Sequence, residues 1–571
     1  MNAAIRKSWS RPPEDFFFCP GIDPGLSTLA PLPPMWRTRP RARLAAGSVS
    51  AYPEVSERIT DHIDTHFRRR AFRAGIETTT IPVLLEDVVA DGHFLSVGGK
   101  WLLTGAAGTR LRNRYAWKNE GRRDTDAETS AYFARLQADD PPPPPVTNRP
   151  PSTLPFVIDL RNGTNFYHFL TETVGQLCAV DTQDFAGPVH IHTKGEEVRP
   201  FIRAWVEALF PRLRGRVRYL TRRASYDRAL SVLNSRHYYY QTSERVIPSL
   251  DQHAPDSHFW KGRDPDRNSQ AVFAMNSCDQ SMVRLRETAH RLIADGDWSH
   301  LPRRFWVGRK SDRNREMAGE TALTEQLAKR GFSVVYFEDL SPLEQVAIMA
   351  RAEVMMSYHG AGFANMLFAG KDTHCIEVGT LQTCLYRWQD FMPHALASGC
   401  RYTSLFADYN VDDPQDALED RQGKSLAPVA LGPVGQAKVL GFVDALLGRV
   451  RVANLQRLQE LADLLARLED YEALKRLLDA HPGAEKLDPD LMILRANALQ
   501  GTGDPGGAFD ALAAAWQATG DRPFLLERLI LLGRDLGRDT RASEAEHAAA
   551  FEKRATLLAR KLRRQAAVQG A

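Results

Sequence analysis

The sequence predicts an α/β protein made of two tandem units of alternating strands and helices, followed by an all-α extension. Three observations carry that prediction. From Arg304 to Gly379, apolar runs of strand length alternate with helical periods, the order that yields a parallel sheet with helices on both faces. A shorter stretch of the same alternation runs from Phe156 to Leu220. Beyond about Val450 the text is helical throughout. At 571 residues the chain also exceeds one ordinary core, so two or three domains are expected.

Composition narrows the function classes. The 74 basic and 70 acidic residues nearly balance, which argues against a general nucleic-acid binder while leaving room for one locally basic cleft. No apolar run is long enough for a transmembrane helix, and the first residues lack the apolar core of a signal peptide. Six cysteines without CxxC spacing predict neither a disulfide framework nor a zinc site, and fit a reducing cytoplasm.

In chain order, residues 1–74 read as an irregular Pro/Arg-rich arm. The domain expected over 75–300 starts with alternating apolar residues and the bends Asp91-Gly92 and Gly98-Gly99, a β-meander. Residues 139–151 (DDPPPPPVTNRPP) form a stiff spacer. Phe156 to Leu160 is a strand, and Asn165 caps a helix expected to reach about Val180. The second α/β domain covers 301–449. In it Ser341 and Glu344 spell a capping box ahead of the strand Val354 to Tyr358. In 450–571, Ala508, Leu512 and Ala515 share one face of a degenerate tetratricopeptide-like unit.

Chemistry-bearing residues gather at strand ends. The strand Val354 to Tyr358 runs into His359, Gly360, Ala361 and Gly362 and then a helical stretch. Such a glycine turn lets backbone approach a ligand and leaves N–H groups suited to an anion; it equally serves as a tight packing turn. After the strand Arg304 to Val307, a loop carries Arg309, Lys310, Arg313 and Arg315. Guanidinium groups there can clamp a diphosphate, or the loop is a solvated surface. Asn165 and His168 present an amide and an imidazole at a helix start, with Glu172 four residues on. They are a proton-transfer group or a cap with a packed histidine. Glu377, inside an apolar strand, needs a partner if buried; a ribose or a structural arginine would serve. The DxD pairs lie in loop-like text, and GxGxxG, Walker, HExxH and GxSxG motifs are absent.

NFYHF, GRKSDRNRE, LSPLEQV, HGAG with the following Asn and Phe, and IEVG occur in an order that resembles glycosyltransferase family 61, typified by capsular polysaccharide biosynthesis proteins. The likeness covers about 75–405 and is most specific over 304–379. It implies a GT-B fold: two Rossmann-like domains around a central cleft, with the nucleotide-sugar held mainly by the second. It further implies inversion at the anomeric carbon with no metal or other cofactor. Carried over, Arg309 and one of Arg313 or Arg315 bind the diphosphate. His359, Gly360, Ala361, Gly362 and Asn365 line the donor turn, Glu377 lies near the nucleoside, and Asn165 and His168 face the cleft. One departure is Gly319-Glu320, where members often carry Asn-Glu. Residues after about 450 lie outside the resemblance.

The expectation is a metal-independent inverting glycosyltransferase, with His168 as base and Glu172 as second candidate, moving sugar from a nucleotide-sugar donor to a glycan or polysaccharide acceptor. It is expected in the cytoplasm, at most peripheral to the membrane's inner face. The 450–571 helices are expected to dock a protein partner or self-associate. The competing reading is a non-catalytic nucleotide-sugar or glycan-binding scaffold. A hydrolase using His and Glu lacks a nucleophile motif.

Overall fold

Val354–Tyr358 is buried at every position, the pattern of a strand covered on both faces of a parallel sheet. In the computed structural model it lies between the strands Arg304–Val307 and His374–Thr380, both parallel to it. Ser333–Val335 extends this sheet beyond Arg304–Val307. Arg401–Tyr409 and an antiparallel Val429–Ala430 extend the other side. The structure describes residues 9–551 apart from 35, 71–73, 93, 105–107, 122–123, 139–141, 148–151, 161–164, 195–197, 236–275, 311–316, 412–413, 450–451 and 453, together with 558 and 562. The Ser341–Glu344 capping box is present, with both reciprocal bonds made. It starts the helix Pro342–Arg351, which feeds the central strand.

The chain is mixed α/β with a C-terminal helical region, and it divides into two units. One comprises Met1–Arg43 with Ser50–Gly432, the other Leu44–Val49 with Pro433–Ala571. In the first unit, the expected meander and the parallel strands Phe156–Leu160, Val189–Thr193 and Val217–Leu220 share one sheet. The long strand Ala224–Asn234 joins them: it pairs antiparallel with Thr80–Asp91 and parallel with Phe156–Leu160. The first half is therefore not purely of alternating βα type.

Within the segment expected as an irregular arm, the described residues carry strands and helices. Phe16, Phe17 and Phe18 are all buried, and Phe16 packs 4.5 Å from the ring of Tyr115. Three consecutive aromatic residues carry too much apolar area to leave in water. Trp36–Pro40 is a strand against Ala74–Thr78, and its Arg37 and Arg39 neutralise the buried Glu77. Buried carboxylates require such partners: Arg39 supplies one from a mostly buried position, and Arg37 reaches in from an exposed one. Pro53–Arg70 is a helix, with Val55, Ile59 and Ile63 buried at helical spacing.

The second unit stacks helices whose starts are capped by Asn454, Asp470, Asp488 and Asp504. Ala496, Ala508, Leu512 and Ala515 are fully buried, so small side chains bring the helices Pro489–Gly501 and Pro505–Thr519 close together. The helix Pro433–Leu446 belongs to this unit, although its sequence lies within the stretch assigned above to the second α/β domain. No helix among the described residues is long and apolar enough to cross a membrane.

Candidate active site

The helix expected from Asn165 to about Val180 is not one regular helix. Phe166–His168 is a short α-turn, Phe169–Thr173 is π-helical and Val174–Ala179 is 3₁₀. A π-turn widens the coil by one residue per turn and recurs at functional sites. Asn165 is its N-cap: the side-chain oxygen accepts the His168 backbone N–H at 3.4 Å. That fixes His168 at the head of the turn and gives Asn165 the capping role expected of it. His168 Nδ1 lies 3.0 Å from Glu172 Oε1, each side chain about one-fifth exposed. A carboxylate on Nδ1 selects the tautomer whose Nε2 can accept a proton.

A second histidine–carboxylate pair stands at the end of the central parallel strands. His359 Nδ1 is 2.6 Å from Glu377 Oε1, with both side chains buried. The other carboxylate oxygen, Oε2, accepts the Tyr402 hydroxyl. Burial, then the Glu377 charge, pushes the Tyr402 phenol well above its ordinary value, so it remains a donor. Glu377 is thus engaged on both oxygens, and its partners within the chain are His359 and Tyr402, where a structural arginine was one alternative.

Arg309 reaches the same turn. Its Nη2 donates to the His359 carbonyl at 2.7 Å, and its guanidinium lies 4.4 Å from the centroid of the Tyr358 ring. Gly360 makes the approach possible: a β-carbon there would fall 1.5 Å from Arg309 Nη2. Gly360, Ala361 and Gly362 are partly exposed, and the coil from Ala361 to Phe368 is 3₁₀. Asn365 is fully buried and donates to Gln345 Oε1 at 3.1 Å. Gln345 in turn donates to the carbonyls of Phe337 and Leu340. Asn365 therefore braces the turn from behind. Arg313 and Arg315 lie outside the described residues. Lys310 pairs with Asp339.

The corner Trp388–Phe391 links the two histidine pairs. Tyr167, beside His168, donates its hydroxyl to the Asp390 carbonyl at 2.9 Å. Phe391 sits 5.6 Å from Tyr167 and 5.4 Å from His359, ring to ring. Thr171 Oγ1 lies 2.9 Å from Nε2 of the buried His394, one turn further. Sequence reasoning missed Asp390, Phe391, His394 and Tyr402. They follow the strand His374–Thr380 in irregular text, with no spacing that announces a site.

Geometrically, the site offers one imidazole held through Nδ1 by a carboxylate, a second paired with a buried carboxylate, and a guanidinium anchored on the carbonyl that precedes the glycine turn. Among the described residues no group of three or more His, Cys, Asp or Glu is gathered to hold a metal. Residues 166–376 match the family described as Glycosyltransferase 61. The matched stretch runs from the helix head at Phe166 to the central strand at Ile376, and so holds both histidines and Arg309. No curated protein matches the chain.

Proposed function

With residues 166–376 assigning the chain to glycosyltransferase family 61, we propose that it transfers a sugar, with inversion and without a metal, from a nucleotide-sugar to a hydroxyl of a glycan or polysaccharide acceptor. The observation that carries this reading is the meeting of the His168–Glu172 pair with the Arg309–His359 turn through the 388–391 corner. His168 Nε2 takes the proton of the acceptor hydroxyl as its oxygen attacks the anomeric carbon. The bond from that carbon to the β-phosphate oxygen breaks, and its electron pair leaves with the nucleoside diphosphate. Arg309 and the Gly360–Gly362 amides face the leaving charge, the kind of fixed electrostatic support that speeds such a step most. A two-domain GT-B arrangement, with the donor held on the 301–449 side, fits this division of labour. A role in capsular or cell-surface polysaccharide synthesis on the cytoplasmic side follows the family resemblance. The C-terminal helices are proposed to serve a protein partner or self-association.

The test is thermal unfolding of the full chain against UDP, GDP, ADP and dTDP and their sugars, with and without EDTA. A ligand that binds only the folded state raises the midpoint by mass action. The expected result is a concentration-dependent rise with one nucleoside diphosphate, unchanged by EDTA, together with slow hydrolysis of the matching nucleotide-sugar. No rise across the panel overturns the donor-site reading. A rise without any turnover, with glycan acceptors supplied, turns the reading to a binding scaffold.

A further inference from the structure

Residues 194–228 hold ten Lys and Arg against four Asp and Glu, a larger excess than the +4 of the whole chain. The structure gathers part of that charge at the carboxyl edge of the first sheet. There the parallel strands Phe156–Leu160, Val189–Thr193 and Val217–Leu220 end within one residue of each other, with Leu160 opposite Thr193 and Leu220 opposite His192. At about 4.8 Å per strand step, the three ends lie within about 10 Å. Beyond the first comes the turn with His168, tied back to its strand by the Thr173 hydroxyl on the Asp159 carbonyl at 3.3 Å. Beyond the second comes Lys194, and beyond the third Arg222 and Arg223. Arg199 is the N-cap of the helix Pro200–Leu209, whose first turn holds no acid. The ring of Phe201 in that turn lies 5.8 Å from those of both Phe166 and Phe169, which flank His168 in sequence. Lys194, Arg199, Arg222 and Arg223 are exposed, and among the described residues their side chains have no ion-pair or hydrogen-bond partner.

We propose that this edge holds an acidic acceptor: a polysaccharide whose sugars carry carboxylates, gripped by Lys194, Arg199, Arg222 and Arg223 while a neighbouring sugar presents its hydroxyl to His168. This rests on the reading of the chain as a transferase with His168 at the acceptor. Val217–Leu220 is an edge strand, and Arg218 on it has the ordinary task of blocking a further strand. The other four cations lie beyond strand ends, where that task does not exist, and like charges gathered there repel one another at a cost to the fold. Their place, outside the carboxyl ends of parallel strands, is where open α/β sheets bind ligands. Three of the four are arginines, whose planar fork matches a carboxylate in two parallel bonds. Cations spread over about 10 Å suit a polymer with repeated charge better than one small anion. An anionic membrane would meet the same charge, but lasting attachment there needs apolar side chains in the lipid as well. Among the described residues of 194–228 no large apolar side chain is exposed.

The experiment titrates the full chain with oligogalacturonate, oligoglucuronate and oligosialate, each beside its carboxyl-reduced counterpart, and with phosphatidylglycerol vesicles. At least one acidic oligomer is expected to bind and its neutral counterpart to fail. That affinity should fall at least about tenfold as salt rises from about 0.05 to about 0.5 M, because exposed charges are screened. The double variant Arg222→Ala with Arg223→Ala, both exposed and so harmless to folding, should lose about tenfold in affinity for the acidic oligomer. Stabilisation by the nucleoside diphosphate should be unchanged in it, and Arg222→Lys with Arg223→Lys should recover most of the binding. Binding of the reduced oligomers as tightly as the acidic ones, no oligomer binding at all, or a double alanine variant that binds like the parent would each overturn the proposal. Capture by the vesicles without any acidic oligomer binding overturns it in favour of a membrane surface. Failure of the donor reading shows separately: the parent then binds the acidic oligomer but is stabilised by no nucleoside diphosphate, and the edge holds glycan without transfer.

Discussion

His168→Ala is expected to reduce turnover about a thousandfold while leaving nucleoside diphosphate binding and the thermal midpoint close to those of the parent. The size follows from the role: a positioned base contributes about 10²–10⁴-fold to a step of this kind. The selectivity follows from the geometry. His168 sits on the π-turn, held by the Asn165 cap and by Glu172, whereas Arg309 is anchored on the turn after the central strand. Removing the imbalanced partner tests the same idea more finely. Glu172→Gln keeps the shape of the pair but can present an N–H to Nδ1, which selects the wrong tautomer; a loss of about 10–100-fold is expected. Single-turnover measurements with the stabilising nucleotide-sugar would read both. Turnover of His168→Ala within a few-fold of the parent would remove His168 from the chemistry.

Much of this site could be read in the text because its parts are local. The capping box at Ser341, the buried strand Val354–Tyr358 and the 359–362 turn are each specified within a few residues, by cap chemistry, an unbroken apolar run and glycine. The i,i+4 spacing of His168 and Glu172 likewise put them on one face. What escaped depends on tertiary partners. Glu377 pairs with His359 because parallel register sets Glu377 opposite Ser357, two residues before the histidine, and no local pattern gives register between separate strands. Tyr402 reaches Glu377 from the next strand for the same reason. The Pro/Arg-rich text before residue 74 was misleading in a different way. Arginine and proline suggest exposure, but a single buried Glu77 ties two arginines, the exposed Arg37 and the mostly buried Arg39, to the folded sheet. The π-turn is the plainest case: periodicity shows that a helix starts at Asn165, but not that the coil widens at Phe169.

Gly360→Ala is expected to weaken nucleoside diphosphate binding by about 10–100-fold in a protein that still folds. The added methyl would sit 1.5 Å from Arg309 Nη2, so one of the two must give way. The atom it meets is the far end of a long, flexible side chain, and the main chain around Gly360 is extended, which any residue adopts. The fold can therefore absorb the change by swinging the guanidinium off the His359 carbonyl and the Tyr358 ring. What cannot survive is the placement of that charge. A bidentate or charge-assisted contact to phosphate depends on a fixed guanidinium plane, and losing one such contact costs about 1.5–3 kcal/mol, which is the affinity loss stated. The pair Gly360→Ala and Arg309→Ala separates this account from a general disturbance of the turn. If the glycine matters because it admits Arg309, the double variant should bind no worse than Arg309→Ala alone, because both remove one interaction. Additive losses in titrations of the nucleoside diphosphate would mean that the turn binds the ligand through its own backbone, and that Arg309 acts apart from it.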